Sequence, residues 1–97
     1  MAKYHLTNLA VNDLSEIWNY TYDEWSENQA NKYYEFLLES CQELADNPNY
    51  GKNYELITNG LLGYKANYHI IFLTIISTKE IEIIRILHER MDLKSKL

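Results

Sequence analysis

Arg85, His88 and Arg90 lie close together near the end of this 97-residue chain, and they are the residues whose chemistry needs weighing first. A histidine flanked by guanidinium groups is what phosphodiester cleavage asks for. One group moves a proton, and cations stabilise the phosphorane. The spacing alone does not establish a nuclease, because a histidine beside a sheet is more commonly a hydrogen-bonded structural residue. His5, His69 and His88 have no close metal-ligand spacing, although two strands could bring His69 and His88 together. All three are read as structural, and no metal or cofactor is expected. Cys41 is the only cysteine, so an intramolecular disulfide and a four-cysteine zinc site are both excluded. It falls in a helical apolar stripe and reads as a small core residue. Ser15, Ser26, Ser40, Ser77 and Ser95 sit in no nucleophile-elbow setting, and Gly51, Gly60 and Gly63 make no phosphate-binding loop. Glu16, Glu24, Glu27, Glu35, Glu39 and Glu43 read as solvated helix faces.

Charge narrows the partners. The net charge is −5 and unevenly spread: residues 1–48 hold nine acids against Lys3 and Lys32, whereas residues 49–97 hold seven bases against five acids. Nucleic-acid binding rests on many phosphate-neutralising cations, so direct DNA or RNA binding is not expected. The N-terminal sequence does not resemble a signal peptide, and the apolar run Ile70–Ile76 is too short to span a membrane. With a lone cysteine, these features lead to the expectation of a cytoplasmic protein. The length suits one domain covering residues 1–97.

The elements that must position these residues follow from periodicity. Tyr4-His5-Leu6 reads as an edge strand, and Thr7 can cap the helix after it. Val11, Leu14, Ile17, Trp18, Thr21, Tyr22 and Trp25 recur at three and four, predicting an amphipathic helix with Asp13, Glu16 and Asn19 on the opposite face. Ser26-Glu27-Asn28-Gln29 is a capping-box pattern that starts a second helix, whose stripe is Ala30, Tyr33, Leu37, Cys41, Leu44 and Ala45. Asp46-Asn47-Pro48 ends it. Beyond Asn49 the composition turns β-branched and aromatic, predicting strands at 61–65, 68–76 and 81–87. Ser77–Glu80 is a turn, Asn59-Gly60 is another, and Tyr54–Thr58 is a strand or an ordered loop. Ile70–Leu73 and Ile83-Ile84 are apolar at consecutive positions, so both faces of the sheet should be covered. The fold class is α+β in the order β-α-α-β-β-β, a helical hairpin packed on a mostly antiparallel sheet.

Several segments, in this order, resemble the ParE toxins of the RelE/ParE superfamily. They are Ala10-x-x-Asp13-Leu14-x-x-Ile17, Tyr20-Thr21, Trp25, Gln29-Ala30, Asn47-Pro48-x-x-Gly51-Lys52, Gly60-Leu61, His69-Ile70-Ile71-Phe72 and the closing stretch Ile83–Asp92. The likeness runs from about Tyr4 to Asp92. It implies a RelE/ParE-like fold and a type II toxin–antitoxin system. It also implies a cognate antitoxin, ParD-like with a ribbon-helix-helix domain, in a hetero-oligomer with the toxin. The ParE branch inhibits DNA gyrase by protein binding; the RelE branch is a ribosome-dependent mRNA endoribonuclease. An inactive relative that only binds antitoxin is a further alternative. Two arginines and a net charge of −5 favour the gyrase branch over the ribonuclease.

The residues assigned to target binding are Arg85, His88, Arg90, Met91 and Asp92, on the last strand and the tail. Arg85 stands in an apolar strand and needs a carboxylate or backbone partner, so an internal ion pair and a target contact both stand open. Trp18, Tyr22 and Trp25 are assigned to antitoxin binding, with core packing as the other role. No catalytic residue is assigned.

Overall fold

The computed structural model describes residues 2–97. Strand β1 (Lys3–Leu6) leads into helix α1 (Asn8–Glu24) and helix α2 (Glu27–Asp46). A 3-10 turn at Pro48–Tyr50 precedes β2 (Lys52–Asn53), β3 (Leu62–Ala66), β4 (His69–Ser77), β5 (Glu80–His88) and a last helical turn, α3 (Leu93–Lys96). The expected order is present, with β2 and α3 as short additions. Tyr54–Thr58 is an ordered loop, held by Ile57 N–H and Thr58 N–H donating to the Tyr54 carbonyl.

Both helix starts are chemically specified. The Thr7 hydroxyl accepts from Ala10 N–H at 3.1 Å, and Ser26 Oγ accepts from Gln29 N–H at 3.1 Å. Each satisfies a backbone donor that the first turn leaves without a partner. The apolar faces of the hairpin lie on one side of the sheet, where Leu14, Leu37, Cys41 and Leu44 meet Ile71, Leu73, Ile81 and Ile83. Cys41 is fully buried, and burial pushes its thiol up to about 12, which makes it the inert core residue expected. A second cluster, Leu61, Ile70, Phe72 and Leu87, fills the opposite face under Tyr54, Ile57, Leu93 and Leu97. The 54–61 loop and the tail thus supply the second cover that the uninterrupted apolar strands require.

Strand order is β1-β5-β4-β3-β2, with β1 parallel to β5 and the rest antiparallel. The first strand therefore lies beside the last. β1 reaches only to the Leu6–Ile83 pair, which leaves the remaining edge of β5 without a strand neighbour. Residues around α1 take over that edge. Thr7 N–H donates to the Ile83 carbonyl and the Thr7 hydroxyl to the Ile84 carbonyl, while Asp13 Oδ2 accepts from Ile86 N–H at 3.0 Å. A buried backbone edge left unpaired would cost free energy, and three polar contacts replace the missing ladder.

Asp13 corrects the sequence reading. It was expected on the solvent face of α1; it is 6% exposed, on the buried face with Ala10 and Leu14. Val11, Tyr22 and Trp25, expected in the inward stripe, are exposed. The helix is rotated relative to its apolar pattern because the Asp13 carboxylate has a guanidinium and a backbone N–H to satisfy at the sheet edge.

Candidate functional site

The C-terminal half of β5 carries a bulge. Phe72 pairs with Arg85 and Leu73 with Ile83, so Ile84 has no opposite residue. Bulges re-aim side chains, and they recur beside functional sites. Here Arg85 meets α1: its Nε donates to Asp13 Oδ2 and its Nη2 to Asp13 Oδ1, each at 2.8 Å. This fork-on-carboxylate geometry is the strongest arrangement open to the pair, and the hydrogen bond to Asp13 raises the guanidinium pKa above its ordinary value. Arg85 Nη1 donates to the Lys96 carbonyl at 3.1 Å, which ties the tail to the same point.

A cleft of about 970 Å³ opens over this pair, between α1, the start of α2, the β3–β4 turn, the end of β5 and the tail. Its wall includes Tyr33 on α2 and His69 on β4, joined by a 2.6 Å hydrogen bond between the phenol oxygen and Nδ1. His69 stands directly opposite His88 in the β4–β5 register, with ring centroids 5.4 Å apart and planes nearly perpendicular. His88 Nδ1 accepts from Arg90 N–H at 3.1 Å. Burial, and then the neighbouring His88, bring the His69 pKa down to about 4, so its ring is neutral at physiological pH. Burial also raises the Tyr33 phenol above its ordinary value. Exposed Tyr20, Trp25, Tyr68 and Met91 border the cleft. The Arg85 fork is already occupied, and Tyr33 and His69 are uncharged. The arrangement is suited to receiving an apolar or aromatic side chain beside a few fixed polar groups.

The structure brings together some of the expected site residues and separates others. Arg85, His88 and Met91 line the cleft. Arg90 lines a smaller neighbouring depression with Lys65 and Glu89, which pair at 3.4 Å. Asp92 lies outside the cleft at the N-terminal cap of α3, where its carbonyl accepts the Ser95 hydroxyl at 3.0 Å. Trp25 lines the cleft; Trp18 and Tyr22 do not. They stack on each other with centroids 5.2 Å apart, and Trp18 Nε1 donates to Asn31 Oδ1 at 3.0 Å. Asp13 and Tyr33 were missed as site residues. Arg85 was expected to need a carboxylate or backbone partner or to contact the target, but Asp13, read onto the solvent face of α1, was not singled out as that partner. Nothing in the sequence pointed Tyr33 at His69.

Comparison with known proteins identifies the family and the fold. The profile of the family described as "ParE toxin of type II toxin-antitoxin system, parDE" matches residues 4–93. Toxin ParE1 of Mycobacterium tuberculosis strain H37Rv is 33% identical over 96 residues, covering 99% of this chain and 98% of the relative. Toxin ParE1 of Caulobacter vibrioides is 30% identical over 97 residues, covering 100% and 99%. Toxin ParE of Escherichia coli is 31% identical over 97 residues, covering 100% and 94%. A solved structure described as the "Chromosomal ParDE TA system from P. aeruginosa" superposes with a TM-score of 0.77 at 21% identity, over 91% of this chain and 96% of that one, and shows a shared fold. With a family match over almost its whole length and relatives above 30% identity along it, this chain belongs to the ParE toxins of type II toxin–antitoxin systems and has the RelE/ParE fold.

Proposed function

We propose that this chain inhibits DNA gyrase by binding it as a protein, and that a cognate ParD-like antitoxin with a ribbon-helix-helix domain neutralises it in a hetero-oligomer. The observation that carries this reading is the ParE match along residues 4–93, joined to a cleft whose arginine fork is already occupied. Catalysis of RNA cleavage calls for cations free to follow charge onto the phosphorane, whereas Arg85 commits three of its five N–H donors inside the protein. A binding role has no such requirement. Arg85, His88, Arg90, Met91 and Asp92 form the target-binding end of the molecule, with Arg85 acting from within the fold. Trp18 and Tyr22 on α1, with Trp25 at the turn that follows it, form the antitoxin side. The chain works as one domain over residues 1–97, in the cytoplasm, without a cofactor.

The test is supercoiling of relaxed plasmid by the host's own gyrase, with the purified protein titrated in. Dose-dependent inhibition that the cognate antitoxin reverses is the expected result. Full gyrase activity at saturating, well-folded protein would overturn it. Cleavage of messenger RNA in a translating extract would then assign the chain to the ribonuclease branch.

A further inference from the structure

Arg85 touches two segments, helix α1 and the C-terminal tail. Its Nε and Nη2 hold Asp13 on α1 at 2.8 Å each, and its Nη1 holds the Lys96 carbonyl at 3.1 Å. Asp13 is itself fixed by Ile86 N–H at 3.0 Å. The side chains of the pair are 16% and 7% exposed, so the contact is screened from water and from salt. The tail it reaches is short. α3 is one helical turn of four residues, too short to persist by its own hydrogen bonds. Two attachments keep it in place: Leu93 and Leu97 packed on the second apolar cluster, and the Arg85 bond to Lys96.

We infer that the Asp13–Arg85–Lys96 chain of hydrogen bonds is a latch that sets the position of the C-terminal tail, and that Arg85 acts in target binding as a positioning residue rather than by touching the target. The second half of this inference rests on the gyrase reading above; the first half does not. The physical reason is preorganisation. A tail that must be ordered at the moment of binding loses conformational entropy then, and a latch removes that loss beforehand. Guanidinium suits the task because its fork can hold a carboxylate with one edge and a carbonyl with the other. An ammonium group is a single point on a flexible stem and cannot span both.

Arg85→Lys tests this. It keeps a cation against Asp13 and removes the bridge to Lys96. Amide hydrogen exchange at Leu97, whose N–H donates to the Leu93 carbonyl at 2.9 Å, reports the tail directly. Exchange there should rise about tenfold or more, with exchange in β4 and α2 unchanged. Gyrase inhibition should weaken about tenfold while antitoxin affinity changes less than about twofold. Ser95→Pro is the second variant. Proline at that position drives Lys94 out of the helical region and breaks the turn, while the Asp13–Arg85 pair itself keeps both its residues. It should reproduce both effects even if Arg85→Lys disturbs folding. Unchanged Leu97 exchange in a folded Arg85→Lys protein would overturn the latch, whether or not gyrase is the target. A freed tail with undiminished gyrase inhibition in both variants would overturn the positioning role. A freed tail in a protein whose wild type leaves gyrase active would refute the target reading and keep the latch.

Discussion

His69 shows how one side chain registers its surroundings. The half-buried ring shares one strong hydrogen bond with Tyr33, lies against the His88 ring and borders the cleft. Its pKa near 4 lies below the ordinary histidine value of 6.5. Above that ordinary value both folded and unfolded chains hold the ring neutral. As pH falls below it, the unfolded chain takes up a proton that the folded protein refuses until about pH 4. The His69 contribution to stability is therefore present in full near neutrality and is lost across that acidic window. Replacing His69 with Gln keeps a hydrogen-bonding group and removes the titration. Urea midpoints of the wild type should fall more steeply than those of His69→Gln between about pH 6.5 and about pH 4. Parallel curves for the two proteins would mean that the ring protonates freely in the folded state.

At the scale of elements, close approach between the 54–61 loop and the sheet depends on Gly63. A Cβ built there would lie 2.6 Å from Tyr54 Cε2 and 3.2 Å from Phe72 Cε1. The Tyr54 ring packs edge-on to Phe72 with centroids 5.2 Å apart, so moving it away from a new Cβ would disturb that contact. Gly63→Ala should destabilise by about 2 kcal/mol through overpacking. In a domain of this size that lowers the melting temperature by about 10 °C. A melt unchanged from wild type would show that the loop carries the ring aside at no cost. The same loop covers the cluster on which Leu93 and Leu97 rest, so its loosening should also be felt in the tail.

For the whole molecule, the two ends of the charge distribution coincide with two surfaces. The helical hairpin carries the acidic excess of residues 1–48, and the strand end and tail carry Arg90, Lys94 and Lys96. Trp25 stands where these surfaces meet, 75% exposed at the turn between the helices and on the border of the cleft. A tryptophan so exposed contributes little to folding, and such residues often dominate binding interfaces. Trp25→Ala should leave thermal stability within about 0.5 kcal/mol of wild type. It should weaken cognate antitoxin binding about tenfold by calorimetry. Undiminished affinity would remove Trp25 from the antitoxin surface and leave the stacked Trp18–Tyr22 pair as its centre.

Local chemistry was enough for much of this protein. Caps at Thr7 and Ser26, the stop at Pro48 and the change from helical to strand periodicity after Asn49 each act within a few residues, so the element order and the apolar stripe of α2 were legible without coordinates. The need of Arg85 for a partner was legible too, because a guanidinium in an apolar strand cannot stay unpaired. What tertiary structure decided was which partner and which face. Asp13 is separated from Arg85 by most of the chain, and its inward turn follows from the free edge of β5, which exists only because β1 is short and lies parallel beside it. A hydrophobic pattern cannot foresee that a carboxylate will be buried to finish a sheet. The Tyr33–His69 bond and the splitting of Trp25 from Trp18 and Tyr22 have the same origin. Helix rotation and strand register set them, and both are fixed by packing over the whole molecule.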